Sequence, residues 1–162
     1  MSLRAALVLL LYEPRLEALR ARFDPEGTAK GIPLHITLLF PFAPHEDGLE
    51  ELFARWSPLR FSLKRVETFP GVVWLAPEPD GELRARMLEL YGRYPQYSPY
   101  GGEFRDPIPH ATVGKGDAAA AVRAAAEPLL PVEIEVGAAT VLEEVAPDRW
   151  RVGKSFSFEG GT

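Results

Sequence analysis

A chain of 162 residues, 46% hydrophobic and 25% charged, has the size and composition of one compact domain with a continuous core, which excludes a disordered or collagen-like protein. Its net charge of -5 counts against tight, sequence-independent binding to nucleic acid, because that affinity comes from Lys and Arg displacing phosphate counterions. The absence of cysteine excludes disulfides, zinc-thiolate sites and a cysteine nucleophile.

Leu3 to Tyr12, rich in Leu and Val, reads as a buried strand. Its apolar stretch, Ala5 to Leu11, is too short to span a bilayer, and Glu13-Pro14 follows it in place of a small-residue cleavage site. A cytoplasmic protein without membrane contact is therefore expected. Pro14 opens a helix to about Phe23, and a polar loop with Gly27 and Gly31 leads to a second strand, Leu34 to Phe40, that stops at Pro41. Asp47 is the expected cap of a helix running to Trp56, and Leu59 to Thr68 alternates as a third strand. The order then repeats. Val72 to Ala76 reads as a strand, Asp80 as the cap of a helix ending near Arg93, and His110 to Gly114 as a strand introduced by Pro109. Asp117 precedes an alanine-rich helix that Pro128 terminates, strands follow near Val132 to Leu142 and Trp150 to Phe158, and residues 159–162 read as a loose tail. Each half, 1–70 and 71–158, thus runs strand, helix, His-bearing strand, helix, strand. This order suggests an α+β fold of two similar lobes within a single domain.

The chemistry-bearing signal lies on the two His-bearing strands. His35-Ile36-Thr37-Leu38 and His110-Ala111-Thr112-Val113 each place Thr two positions after His, at corresponding points of the two halves. On a strand, residues i and i+2 share a face, so each imidazole has a hydroxyl beside it while Ile36, Leu38 and Phe40 turn into the core. Two imidazoles titrating near 6.5 can divide acid and base roles around neutral pH, one taking a proton while the other gives one. Thr37 and Thr112 are the hydroxyl donors beside them, candidates to bind a substrate oxygen that gains charge.

Both motifs, with Pro33 and Pro109 preceding them, resemble those of the 2H phosphoesterases, the 2′-5′ RNA ligase-like superfamily, whose defining feature is two His-x-(Thr/Ser)-x motifs. The resemblance implies two pseudo-symmetric lobes with antiparallel-rich sheets forming a central groove, helices outside, and both histidines projecting into the groove. It implies metal-independent hydrolysis of a 2′,3′-cyclic phosphate on a nucleotide or RNA end, with 2′-5′ ligation or a non-catalytic RNA- or nucleotide-binding module as alternatives. For a ring whose 3′ oxygen leaves, it implies His35 as acid and His110 as base. No cofactor is expected, the partner is the substrate itself, and a monomer without an obligate protein partner is expected.

Further candidates surround the motifs. The segment from Tyr94 to Pro109 is long for a loop and carries Tyr94, Tyr97, Tyr100 and Phe104, rings that either stack a base or pack the loop onto the domain. Lys30, Arg105, Lys115 and Lys154 are candidate phosphate contacts, Arg105 and Lys115 foremost. His45 lacks the following Thr and reads as a loop residue. No carboxylate occupies a fitting position on either His strand to complete a metal site.

Overall fold

The computed structural model describes residues 3–97 and 106–161. Strand β1 (Ala5–Leu10) is buried along its whole length, and exposed Tyr12 lies beyond its end. Helix α1 (Pro14–Phe23) starts at Pro14, whose missing N–H costs nothing in a first turn, and buries Leu16 and Leu19. The polar loop that follows contains a short helix, α2 (Pro25–Ala29), which composition alone did not reveal. The Asp24 side chain caps it by accepting from the Gly27 amide at 3.2 Å. Strand β2 (His35–Leu39) carries the first motif.

Helix α3 (Leu49–Ala54) is capped at Gly48, not at Asp47. Gly48 takes a left-handed φ of 84°, which glycine adopts without steric cost. Strands β3 (Leu59–Phe69) and β4 (Val72–Glu78) form a hairpin, and helix α4 (Gly81–Arg93) follows. Asp80 occupies the expected cap position, yet its carboxylate accepts from Arg84 Nε at 2.8 Å and makes no cap bond. Strand β5 (Ala111–Lys115) carries the second motif, with His110 immediately before it. Helix α5 (Ala119–Ala126), a 3-10 turn over Glu127–Leu129, and strands β6 (Val132–Val136), β7 (Ala138–Ala146) and β8 (Arg149–Ser157) complete the chain. Among the described residues no helix is long and apolar enough to cross a membrane.

The fold is α+β, but its strands hydrogen-bond into one sheet where two were expected, in the order β6-β3-β4-β5-β2-β1-β7-β8 with every pair antiparallel. The two motif strands are neighbours at its middle. Strands also cross between the halves of the sequence: β3 from the first half pairs with β4 and β6, and β7 from the second pairs with β1.

All four longer core-packed helices bury their apolar stripes in one large cluster with alternate strand residues, including Leu7, Leu9, Ile36, Leu38, Ala111 and Val113. The residues between them point to the opposite face. There Ala6, Val8, Leu10 and Leu142 form a smaller apolar cluster with Ile32 and Trp150 at its side. The period of two therefore sends the four motif side chains away from the helices, onto the face left open to a ligand.

Glu159 and Gly160, expected in a loose tail, are instead held in place. The Glu159 amide donates to the Ala54 carbonyl at 3.2 Å and the Gly160 amide to the Trp56 carbonyl at 2.9 Å, tying the segment to the end of α3. A Cβ at Gly160 would lie 2.7 Å from the Arg55 oxygen and 2.8 Å from the Trp56 oxygen. Since both are backbone atoms, Gly160→Ala is expected to destabilise the protein by about 1–3 kcal/mol, read as a fall in Tm of several degrees.

Candidate active site

The pairing of β2 with β5 sets the site. Ile36 lies opposite Ala111. Continuing that antiparallel register by one residue each way places His35 opposite Thr112 and Thr37 opposite His110, all four on one face. Directly opposed Cβ atoms in such a pair lie about 4.5–5.5 Å apart and diagonal ones about 7–8 Å, and His35 and His110 stand on a diagonal of this register. The neighbouring strands extend the array: Leu10 pairs with His35 and Val8 with Thr37 on one side, and Trp74 pairs with Thr112 on the other.

Both rings are oriented in the same way. His35 Nδ1 is 2.8 Å from the Pro33 carbonyl oxygen and His110 Nδ1 is 2.8 Å from the Ile108 carbonyl oxygen. A carbonyl only accepts, so each Nδ1 carries the hydrogen and each Nε2 is left for exchange with a ligand. His110 is further held edge-on by Phe69 and Trp74, at centroid separations of 5.1 and 5.7 Å.

The two imidazoles differ in their surroundings. Burial lowers the His35 pKa to about 4, and the charges of Arg20 and His110 act in the same direction against the opposing Pro33 carbonyl and Asp24. His35 is therefore neutral at pH 7 in the unliganded protein.

Arg20 is the site residue that sequence reasoning missed. It is only 3% exposed although it lies in the last turn of α1, and its Nε is 3.5 Å from Asp24 Oδ2 while Nη1 donates to the Ile32 carbonyl. Burial depresses its pKa, and the charges of Asp24 and Glu17 oppose that effect. The available signal was the i,i+4 spacing of Arg20 and Asp24, which puts both on one helix face. A Cβ at Gly27 would come within 2.5 Å of Asp24 Oδ2 and 2.7 Å of Arg20 Nη2, so a larger residue there would have to displace this ion pair.

Arg20, Lys30, His35, Thr112 and Lys115 line one cavity of about 240 Å³, so two of the sequence-predicted cations do reach the motifs. Lys154 does not. It pairs with Glu50 and lines a separate cavity with His45, away from both motif histidines. Among the described residues no group of three His, Asp or Glu side chains is placed to hold a metal ion.

The loop aromatics divide. Tyr94 is buried, Tyr97 donates to Glu46 Oε1 at 2.6 Å, and both pack edge-on against Phe42, so these two rings fasten the loop to the core. Tyr100, Phe104 and Arg105 lie outside the described residues.

The same architecture occurs in solved structures. The chain is similar to a protein described as a phosphoesterase, with 19% identity, a TM-score of 0.58 and coverage of 98% of this chain and 99% of the other. It is similar to Escherichia coli LigT in its apo form, with 22% identity, a TM-score of 0.57 and coverage of 96% and 97%. A Thermus thermophilus protein matches with 23% identity, a TM-score of 0.53 and coverage of 98% and 100%. At these identities the likeness is one of fold. No curated protein sequence matches the chain. The family model of the 2′-5′ RNA ligase superfamily matches residues 11–148. The match spans both His-x-Thr strands and most of the fold around them, and the chain belongs to this superfamily, the 2H phosphoesterases.

Proposed function

We propose that this protein is a metal-independent phosphoesterase that opens the 2′,3′-cyclic phosphate of a nucleotide or RNA end by paired-histidine acid–base catalysis. The observation that carries the reading is the register of β2 and β5, which brings two His-x-Thr pairs from distant parts of the sequence onto one face. LigT, which shares the fold, has been solved with 3′-AMP, ATP and NADP+, all adenine nucleotides, and this supports a nucleotide as substrate.

In the proposed reaction water attacks phosphorus while one imidazole accepts its proton at Nε2. The P–O3′ bond breaks, and the other imidazolium delivers a proton to O3′, leaving a 2′-phosphate. His110 is the base and His35 the acid. A bound phosphate places negative charge against His35, opposing Arg20 and burial, and so loads it with the proton it must give. Thr37 and Thr112 donate to the non-bridging oxygens, whose charge grows as water adds. Arg20, Lys30 and Lys115 supply the local positive field that an acidic chain lacks overall.

The reading is tested with purified protein in EDTA, offered nucleoside 2′,3′-cyclic phosphates and an RNA oligomer ending in a cyclic phosphate. Turnover to the 2′-phosphate is expected. Binding without turnover would instead make the protein a nucleotide-binding module. Thr112→Val preserves shape and removes the hydroxyl, and is expected to lower kcat by about tenfold, the value of one hydrogen bond made in the transition state.

A further inference from the structure

Each motif histidine is aimed by the carbonyl two residues before it, and that carbonyl belongs to a short segment outside the strands, residues 32–34 ahead of β2 and residues 107–109 ahead of β5. Both segments are held in the same way. Arg20, on the helix α1 that precedes β2, donates from Nη1 to the Ile32 carbonyl, three residues before His35. Arg84, on the helix α4 that precedes β5, donates from Nη1 to the Pro107 carbonyl at 2.7 Å, three residues before His110. Each guanidinium is in turn fixed by an aspartate four residues away, with Nε 3.5 Å from Asp24 Oδ2 in the first case and 2.8 Å from Asp80 Oδ2 in the second. The same two nitrogens therefore do the same two tasks at both motifs. Little other freedom is left to the segments. Pro33 and Pro107 have a fixed φ, while Pro33 and Pro109 restrict Ile32 and Ile108 before them. At the first motif the Leu34 amide also donates to Glu17 Oε1 at 2.6 Å, a second grip from α1.

We infer that Arg20 and Arg84 are matched positioning residues, each pinning the backbone that presents the orienting carbonyl to one histidine and so fixing the tautomer and aim of the ring that exchanges the proton. The inference rests on the reading of His35 and His110 as the reacting pair. A guanidinium presents its donors in a rigid plane, so one that bonds an aspartate and a carbonyl together fixes the direction of the carbonyl as well as its distance. The clamp accounts for the burial of Arg20 with Asp24, and it gives Asp80 a task other than the cap bond that its carboxylate does not make. Arg84 does not line the cavity shared by Arg20, His35 and Thr112, so its substitution leaves the charges there unchanged.

Nitrogen-15 NMR of the histidine rings in the full chain, at about pH 9 and so above the range in which histidine titrates, reads the tautomers directly. The wild type is expected to hold both rings with the hydrogen on Nδ1. In Arg84→Ala the His110 ring passes to a mixture of tautomers while His35 keeps its own. Its kcat on a nucleoside 2′,3′-cyclic phosphate falls by up to about 100-fold with KM little changed, the cost of an ångström-scale misplacement. Arg20→Lys keeps the charge but loses the rigid fork, and gives the same pattern at His35 with His110 unaltered. Asp80→Ala frees Arg84 without removing it and reproduces part of the His110 effect, which guards against a folding defect confined to one variant. Tautomers that stay as in the wild type, or both rings altered alike in one variant, would overturn the inference, as would full kcat in a variant whose tautomer has changed. If the wild type turns over no cyclic nucleotide, the acid–base reading falls by itself and the tautomers alone decide. A change confined to the histidine that follows the substituted arginine then upholds the clamp, and no change overturns it.

Discussion

Replacing His110 by alanine is expected to lower turnover of a 2′,3′-cyclic nucleotide by about 10²–10⁴-fold, and His35→Ala by a similar factor, the range for removing a positioned acid or base. The double variant is expected to be little worse than the poorer single one, because an acid and a base acting in one step fail together. Single-turnover rates with saturating substrate separate this loss from one of binding. His110 is partly exposed and held by one carbonyl and two ring edges, so its alanine variant should melt within a few degrees of the wild type. Activity that survived both substitutions would remove the proposed mechanism.

Stability is expected to rise by about 3 kcal/mol between pH 4 and pH 6.5 on account of His35 alone. In the folded protein this imidazole takes up its proton only near pH 4, whereas in the unfolded chain it does so near 6.5. Within that window the unfolded state holds more protons, so its contribution is fully present above 6.5 and is lost as pH falls toward 4. Urea unfolding of wild type and His35→Gln at pH 7 and pH 4 checks this, since the variant loses the term and gains relative stability in acid. An NMR titration gives the same group directly. The His35 ring resonances are expected to stay flat from pH 8 to 5.5 in the free protein and to titrate in that range once a nucleoside 2′-phosphate is bound.

Much of this was legible in the sequence because its signals are local. Period-two alternation placed Ile36 and Leu38 in the core and His35 and Thr37 on the opposite face, but Phe40, expected in the core with them, is 42% exposed, because the strand and its alternation end at Leu39. The helices that begin at Pro14 and after Asp80 announced themselves through proline and a polar cap. What was not legible depends on partners far along the chain. Nothing in residues 59–69 says that β3 pairs with β4 and β6 in a single eight-stranded sheet. Trp150 lines a cavity with His35 and Thr37 only because β8 pairs with β7, which pairs with β1, which pairs with β2. Sequence proximity pointed instead to the aromatics before the second motif, of which Tyr94 and Tyr97 pack on Phe42. Arg20 was passed over because an arginine in the last turn of a surface helix is ordinarily solvated, and its burial follows from the neighbouring Asp24 and Ile32.

The exchange of strands between the halves makes them interlocked parts. The Pro70-Gly71 turn joins β3 to β4, and a cut there would leave fragment 1–70 with β3 bonded only to strands of the other fragment, and fragment 71–162 with β7 bonded to β1. Neither fragment holds a complete sheet or both histidines. The two would function only as a complemented pair, and the active site is thus a joint property of the halves, assembled at the seam where β2 meets β5.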